Sequence, residues 1–235
     1  MREIEDHHWW FRARRRIVGR TISSLSLPFA PRVLDAGCGT GGNLTALAGF
    51  GDVIGVESDD TAIELARGRG VAQVYKGSLP NNMPAESARC DLVVMTDVLE
   101  HIDADRESLV TIKTLMNAGG YLIITVPAFR FLWGPHDTLH HHKRRYVAAT
   151  LRSIIEDAGL KVLHISYFNT LLFPLVALIR LYERLRPPNS ATVDLALPGE
   201  LTNRLLERIF AIERHVVYRT ILPFGVSLLA IARKT

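Results

Sequence analysis

At 235 residues the chain can form one full domain with a cap, and 48% hydrophobic against 22% charged residues excludes a disordered or collagen-like polymer. The formal net charge of +4 permits an anionic partner without requiring one. Cys38 and Cys90 are too few for a disulfide framework and fit a reducing compartment, the cytoplasm. Charges stand where a signal peptide would have its apolar centre, and no apolar run reaches the roughly 20 residues that span a bilayer.

Residues 3–25 read as one or two helices before a sheet. Trp10, Ala13, Ile17 and Val18 share a helical face, while Arg12, Arg15 and Arg16 point elsewhere. This segment either packs its aromatics on the sheet or forms a lid, with Trp10 and Arg14 as substrate-side candidates. Leu27-Pro28-Phe29-Ala30-Pro31 then leads into a buried strand, Arg32-Val33-Leu34. The chain breaks there into Asp35-Ala36-Gly37-Cys38-Gly39-Thr40-Gly41-Gly42, and a helical pattern follows at Leu44, Leu47 and Ala48. Strand, glycine-rich turn and helix open a nucleotide-type crevice. No Gly-Lys-Ser/Thr closes the loop, so it is no phosphate loop. Asp35 stands two residues before the first glycine, which suits a ligand carrying positive charge.

Asp52–Glu57 reads as the second strand. Its terminal carboxylate can accept hydrogen bonds from both hydroxyls of a ribose. Ser58-Asp59-Asp60 caps a helix through Ala66, with Asp59 as the cap. Gln73–Lys76 is a third strand, followed by Gly77-Ser78-Leu79-Pro80. Cys90–Met95 is a fourth, running into Thr96-Asp97-Val98-Leu99-Glu100-His101-Ile102. Asp105–Met116 is helical, Asn117-Ala118-Gly119-Gly120 ends it, and Tyr121–Pro127 is a central, almost wholly apolar fifth strand.

Five strand–helix units with this punctuation resemble a class I S-adenosylmethionine-dependent methyltransferase over about residues 30–165. The carriers of the likeness are Asp-x-Gly-x-Gly-x-Gly after the first strand and Asp91-Leu92-Val93-Val94 with Leu99-Glu100-His101 at the fourth. The resemblance implies S-adenosylmethionine as cofactor, held across Asp35, Gly37, Cys38, Gly39, Glu57, Ser58, Ser78, Leu79, Thr96 and Asp97. Thr96 and Asp97 would lie beside its methionine end. The family commonly has an aspartate where Ser78 stands, so the adenine contact at Ser78 and Leu79 departs from the pattern. The implied fold is α/β: a Rossmann-like, doubly wound sheet of seven strands with the seventh antiparallel.

Acceptor contacts should follow the fourth and fifth strands. His101 is either a packed histidine or a site residue. In the loop after Pro127, Phe131 and Trp133 can wall a pocket, and His136 or Asp137 can serve as general base. Tyr146 can orient the acceptor. Consecutive His140-His141-His142 lack metal-ligand spacing, so no metal site is expected. Lys143, Arg144 and Arg145 together with Arg12–Arg16 can form an anion-binding mouth. The His-Asp and Arg-Arg-Tyr of this loop, with the Trp-Trp-Phe-Arg segment, resemble a bacterial-type subgroup of that family, of mostly unassigned substrate.

Ala148–Ala158 is a helix stopped by Gly159, and Leu160–Tyr167 is the sixth strand. Phe168–Tyr182 is apolar on nearly all sides, Pro187-Pro188 breaks it, Asp194–Pro198 is a loop, and Leu201–Tyr218 is an amphipathic helix. Pro223–Arg233 reads as the last strand. The layout is thus an N-terminal helical lid (1–30), a cofactor-binding core (31–167), a helical insertion (168–222) and the last strand of the core (223–235). The insertion reads as a cap, as a homodimer interface, or as contact with a membrane surface or greasy substrate; it is too short and interrupted to span.

The expected function is methyl transfer to a small or lipid-like acceptor, isoprenoid or lipid-linked with an anionic head, by a cytoplasmic protein peripheral to the inner face of the membrane. A methyltransferase-fold scaffold without turnover is an alternative. A nicotinamide-dependent oxidoreductase would need GxGxxG. A nucleic-acid methyltransferase that flips its base would show Asn/Asp-Pro-Pro-aromatic after the fourth strand, where Thr96-Asp97-Val98-Leu99 stands; no nucleic acid partner is expected.

Overall fold

The computed structural model describes residues 2–184 and 198–235. Seven strands form one sheet: β1 (Arg32–Ala36), β2 (Asp52–Glu57), β3 (Gln73–Lys76), β4 (Cys90–Thr96), β5 (Met116–Pro127), β6 (Lys161–Phe168) and β7 (Ser227–Arg233). Their order is β3-β2-β1-β4-β5-β7-β6, and β7 runs antiparallel to both β5 and β6. This is the expected doubly wound α/β sheet with a reversed seventh strand. From β1 the chain winds outward to β2 and β3, then returns to β4 on the other side. A crevice therefore opens beyond the carboxyl ends of β1 and β4.

Inner parallel strands are covered on both faces, which is why they are apolar runs. Val33, Leu34, Leu92, Val93, Val94, Met95, Leu122, Ile123 and Ile124 are all fully buried. The helices are α1 (Arg2–His7), α2 (Trp9–Ile22), α3 (Leu44–Ala48), α4 (Asp60–Arg67), α5 (Asp105–Leu115), α6 (Pro135–Leu139), α7 (Ala148–Asp157), α8 (Phe173–Arg184) and α9 (Glu200–Ala211). One face of the sheet is packed by α5 and α7 through Leu109, Ile112, Leu151 and Ile155. The other is packed by α2, α3, α4 and α9 through Ile17, Leu44, Ile63 and Phe210. Asp59 caps α4 as read from the sequence, its Oδ1 accepting the Ala62 N–H at 2.8 Å.

Two sequence expectations are corrected. Asn117–Gly120 does not cap a helix: α5 ends at Leu115, and Met116 already pairs with Cys90. The stretch before Tyr121 bulges opposite Asp91, with Gly119 at φ +77 donating its N–H to Lys234 O at 2.8 Å. The helix expected to reach Tyr218 ends at Ala211 and tightens into a 3-10 turn over Ile212–His215. That turn aims buried Glu213 at the chain leaving β6, where its carboxylate accepts the N–H groups of Asn169, Thr170 and Leu171 at 2.6, 2.7 and 3.0 Å.

The two described helices of the insertion pack at different places on the core. In α8, Phe173 packs on Phe129 and Phe131 at the exit of β5, with ring centroids 6.0 and 6.2 Å apart. In α9, Asn203 accepts the Trp9 N–H at 2.9 Å and Glu207 pairs with Arg12 and Arg16 at 3.2 and 2.8 Å, which docks α9 on α2. The Pro187-Pro188 break and the loop from Asp194 lie outside the described residues, Pro198 excepted. No helix among the described residues is long and apolar enough to cross a membrane.

Candidate functional site

The glycine loop takes its shape from three left-handed residues, Gly37 (φ +79), Gly39 (φ +54) and Gly41 (φ +80). A Cβ at Gly37 would also lie 2.6 Å from a methyl of Val98, so no side chain fits there. The Gly37 and Cys38 N–H groups both donate to Val56 O, at 2.8 and 3.0 Å, which ties the loop to β2. Glu57 then takes the Gly39 N–H on Oε2 at 2.8 Å and the Ser58 and Asp59 N–H groups on Oε1 at 2.7 and 3.1 Å. Charge-assisted bonds of this kind lock a carboxylate in place at the end of a strand.

Asp35 is fully buried beneath the loop, and neither carboxylate oxygen has a hydrogen-bond partner among the described residues. Burial pushes its pKa up to about 7; the Arg14 charge pulls it down, and Glu5 and Glu57 push it further up. A carboxylate so placed calls for a cationic or hydrogen-donating ligand. It also gives a pH signature. The folded value lies above the unfolded value of about 3.9, so this group's contribution to stability is full below pH 4 and lost as pH rises through about 7. Asp35→Asn is therefore expected to gain stability over the parent across that window, by up to about 1.4 kcal/mol per pH unit, and to level off above it. Urea denaturation of both proteins between pH 4 and 8 reads this difference. A constant offset would show that Asp35 does not titrate there.

β4 runs beside β1, and its carboxyl end supplies Thr96 and the Asp97 that follows it. Thr96 accepts a hydrogen bond from Asn43 Nδ2 at 2.8 Å. Asp97 sits at φ +55, its Oδ1 accepting from Thr125 Oγ1 at 2.9 Å and its Oδ2 paired with Arg14 of α2. Arg14 is buried and so is the cation that the N-terminal helix delivers among the crevice carboxylates. Glu100 is fully buried with both oxygens unpartnered among the described residues. Burial, and then the Asp97 charge, push it well above the usual carboxylate range.

From the other side α1 lies across the loop. Glu5 accepts the Thr40 hydroxyl at 2.6 Å, and Asp6 pairs with Arg69 at 2.9 Å.

The loop after β5 centres on Asp137. It is fully buried and accepts Arg145 Nε at 2.8 Å and Nη2 at 3.0 Å, the Gly134 N–H at 2.9 Å, and shares a 2.8 Å hydrogen bond with His142 Nδ1. Burial alone would raise this carboxyl; the hydrogen bonds from His142 and Arg145, with the Arg145 charge, outweigh it and hold the group well below its usual range. Four histidine rings gather beside it. His101 meets His142 edge-on at 4.7 Å, and His136 lies 4.3 Å from His140 and 5.9 Å from His142 between ring centroids. Burial, with neighbouring histidine charges, pulls His136 down to about 4 and lowers His101 and His140.

The fold thus brings Asp35, Gly37, Gly39, Glu57, Thr96, Asp97 and Arg14 to one crevice, with His101 and His136 grouped at the loop beside it. Ser58 supports Glu57, donating its N–H and, at 3.1 Å, its hydroxyl. Ser78 is exposed and Leu79 half-buried at the end of β3. Phe131 is exposed and stacks near Phe129 at 5.2 Å, with half-buried Trp133 following it.

Four candidates are placed otherwise. The Cys38 thiol packs in the core against Gly55, its N–H donates to Val56 O of β2 and its C=O accepts the Gly41 N–H. Trp10 stacks on Phe210 at 5.0 Å, joining α2 to α9 instead of facing an acceptor. Tyr146 is buried and donates to Asp105 Oδ2 at 2.9 Å, so its phenol is committed to the core. Asp137 is held by its partners and is no free base. The basic residues read as an anion-binding mouth each have a partner within the chain. Arg12 and Arg16 pair with Glu207, Arg14 with Asp97, Arg15 donates to Glu5 O, Lys143 pairs with Asp103, Arg144 with Asp105 and Arg145 with Asp137.

Sequence reading missed Asn43 and Thr125. Thr125 carried a faint signal as the one aliphatic hydroxyl in an apolar strand; Asn43 carried none.

A family model described as a methyltransferase domain matches residues 9–165. A Mycobacterium tuberculosis protein named as a probable S-adenosylmethionine-dependent methyltransferase is 28% identical over 162 residues, covering 67% of this chain and 57% of that one. A ubiquinone biosynthesis O-methyltransferase of Roseobacter denitrificans is 26% identical over 125 residues, covering 51% of this chain and 46% of its own length. The chain therefore spans little more than half the length of the first of these relatives and less than half of the second. Among solved structures, a TehB-like S-adenosylmethionine-dependent methyltransferase from Corynebacterium glutamicum superposes with a TM-score of 0.59 at 19% identity, covering 93% of this chain and 88% of that one. At that identity the likeness is one of fold.

Proposed function

Because the chain belongs to the methyltransferase domain family, we propose that it transfers a methyl group from S-adenosylmethionine, the cofactor its family and relatives imply, to a small apolar or lipid-like acceptor. The observation that carries the donor half is Asp35: a buried carboxylate at the head of a glycine loop, without a hydrogen-bond partner among the described residues and near enough to Glu57 to feel its charge. The residues present fit the cofactor. Asp35 and Asp97 would hold its ammonium end and Arg14 its carboxylate. Glu57 would take the ribose hydroxyls, and Ser78 with Leu79 would border the adenine. When bound, the cofactor supplies a methyl group already activated on a sulfonium.

What remains for the chain is alignment, exclusion of water and removal of a proton where the acceptor is a hydroxyl or amine. Glu5 on Thr40 and Arg14 on Asp97 close two helices over the crevice. His136, pulled down to about 4, is neutral at pH 7 and can accept a hydrogen bond from an acceptor O–H, but it stores a proton poorly.

The acceptor half of the proposal rests on apolar surface. Phe129 stacks on Tyr167 at 4.8 Å, and Phe131 and Phe173 extend that wall. It continues onto α8, where Leu175, Leu178, Ile179 and Leu181 are exposed. With the arginines paired internally, nothing on this surface argues for an anionic head, and the acceptor is taken as apolar.

Calorimetry with S-adenosylhomocysteine and a turnover assay across acceptors test the two halves. The expected results are one binding site per chain and methylation of hydroxylated long-chain compounds presented in vesicles, with the chain floating alongside them. Binding without any turnover would leave a scaffold. Rapid turnover of small polar acceptors with no flotation would overturn the apolar assignment.

A further inference from the structure

Glu100, His101 and His142 sit together although the last is far from the first two in sequence. Their ligand-capable atoms all lie within 4.8 Å of one another. The two loops that carry them are tied by backbone, the Lys143 N–H donating to Glu100 O at 2.7 Å. Glu100 is fully buried, and its two oxygens have no hydrogen-bond partner among the described residues. The nearby guanidinium groups do not supply one, since Arg14 is paired with Asp97 and Arg145 with Asp137. A lone buried carboxylate is costly, and structures meet that cost with a cation or a donor.

His142 is oriented from behind. Its Nδ1 is hydrogen-bonded to Asp137 Oδ1 at 2.8 Å, and Asp137 is itself gripped by Arg145 and the Gly134 N–H. A carboxylate on Nδ1 fixes the ring and leaves Nε2 with its lone pair free, the outer-shell arrangement of metal-ligating histidines. His101 meets that ring edge-on and is itself exposed, so the cluster has one buried wall and one open side.

We propose that Glu100, His101 and His142 bind one divalent transition ion of the zinc class, with the open side left for water or an oxygen of the acceptor. Two imidazoles and one carboxylate suit zinc, cobalt or ferrous iron, whereas magnesium and calcium take oxygen ligands. Three ligand atoms about 2.1 Å from a tetrahedral ion lie roughly 3.4 Å apart. The side chains therefore draw in by about an ångström on binding, which the exposed His101 can supply. Such an ion would neutralise Glu100 and hold an acceptor hydroxyl at the edge of the crevice. That last role rests on the methyl-transfer reading; the ion site itself does not.

The test uses the full chain, stripped with a chelator and titrated with Co²⁺ while visible absorption is recorded. One ion per chain is expected, with the bands of nitrogen-coordinated cobalt, displaced by Zn²⁺ and not by Mg²⁺. His101→Ala removes an exposed side chain and folds independently of the outcome; it and Glu100→Gln are each expected to weaken uptake at least tenfold. His141→Gln, exposed in the same loop and outside the cluster, should leave it unchanged. Uptake that His101→Ala does not weaken, or that falls with His141→Gln, would place the metal on surface histidines and overturn the site. Absence of uptake at micromolar cobalt would overturn it equally. Because the readout is metal uptake, the site can fail while methyl transfer stands, and the reverse.

Discussion

Asp137→Ala is expected to lower the free energy of unfolding by about 3–5 kcal/mol. The carboxylate is fully buried and holds Arg145, His142 and the Gly134 N–H at once. Removing it leaves a buried guanidinium uncompensated, which costs more than the pair contributes when intact. Asp137→Asn should retain the Gly134 bond and lose somewhat less. The measurement is a urea or guanidinium transition followed by far-ultraviolet circular dichroism near pH 7. Near pH 2 the same pair should weaken, because a carboxyl held below its ordinary range gives stability that is present above the unfolded pKa of about 4 and is lost as pH falls through the folded value. A loss under 1 kcal/mol would mean that the loop after β5 is braced elsewhere.

Glu57→Ala is expected to raise the dissociation constant for S-adenosylhomocysteine by about 100-fold or more. Hydrogen bonds to a charged acceptor are worth about 1.5–3 kcal/mol each, and a ribose would lose two. The substitution also frees the Gly39, Ser58 and Asp59 N–H groups, loosening the loop that the glycines shape. Calorimetry on the parent, Glu57→Ala and Glu57→Gln separates the two effects. The glutamine keeps one acceptor oxygen for the loop, loses the other and binds the hydroxyls without charge, and should fall between the other two. Equal affinity for all three would remove Glu57 from the cofactor site.

Residues whose role is local are legible in the amino-acid sequence. Asp59 caps the helix beside it, Gly159 ends α7 at φ +74, and the glycine loop announces itself by spacing. The order of the strands along the chain follows from hydrophobic runs punctuated by glycine and proline. What the sequence hides depends on contacts between distant segments. Arg14 looks like any arginine in a basic run until α2 is laid over β4 and Asp97 appears beneath it. Trp10 reads as a sheet-packing or lid residue because the ring it stacks on, Phe210, lies two hundred positions away in the chain. Asp137 reads as a base and His142 as one of three consecutive histidines without metal-ligand spacing, until the fold sets Arg145 and His142 on the same carboxylate and makes a brace of them. The extension of β5 back to Met116 escapes for another reason: Asn117–Gly120 has the composition of a helix stop, and a bulge uses the same residues.

The crevice at β1 and β4 has a sign opposite to that of the molecule around it. The chain carries a formal net charge of +4, yet Glu5, Asp35, Glu57, Asp97 and Glu100 converge there around the Arg14 guanidinium. In a setting of low dielectric such a field is felt more strongly than on the surface, and salt screens it less. Affinity in the crevice therefore tracks the positive charge a ligand brings. A ligand that gave up one unit of positive charge while bound would be held less firmly afterwards than the one first captured.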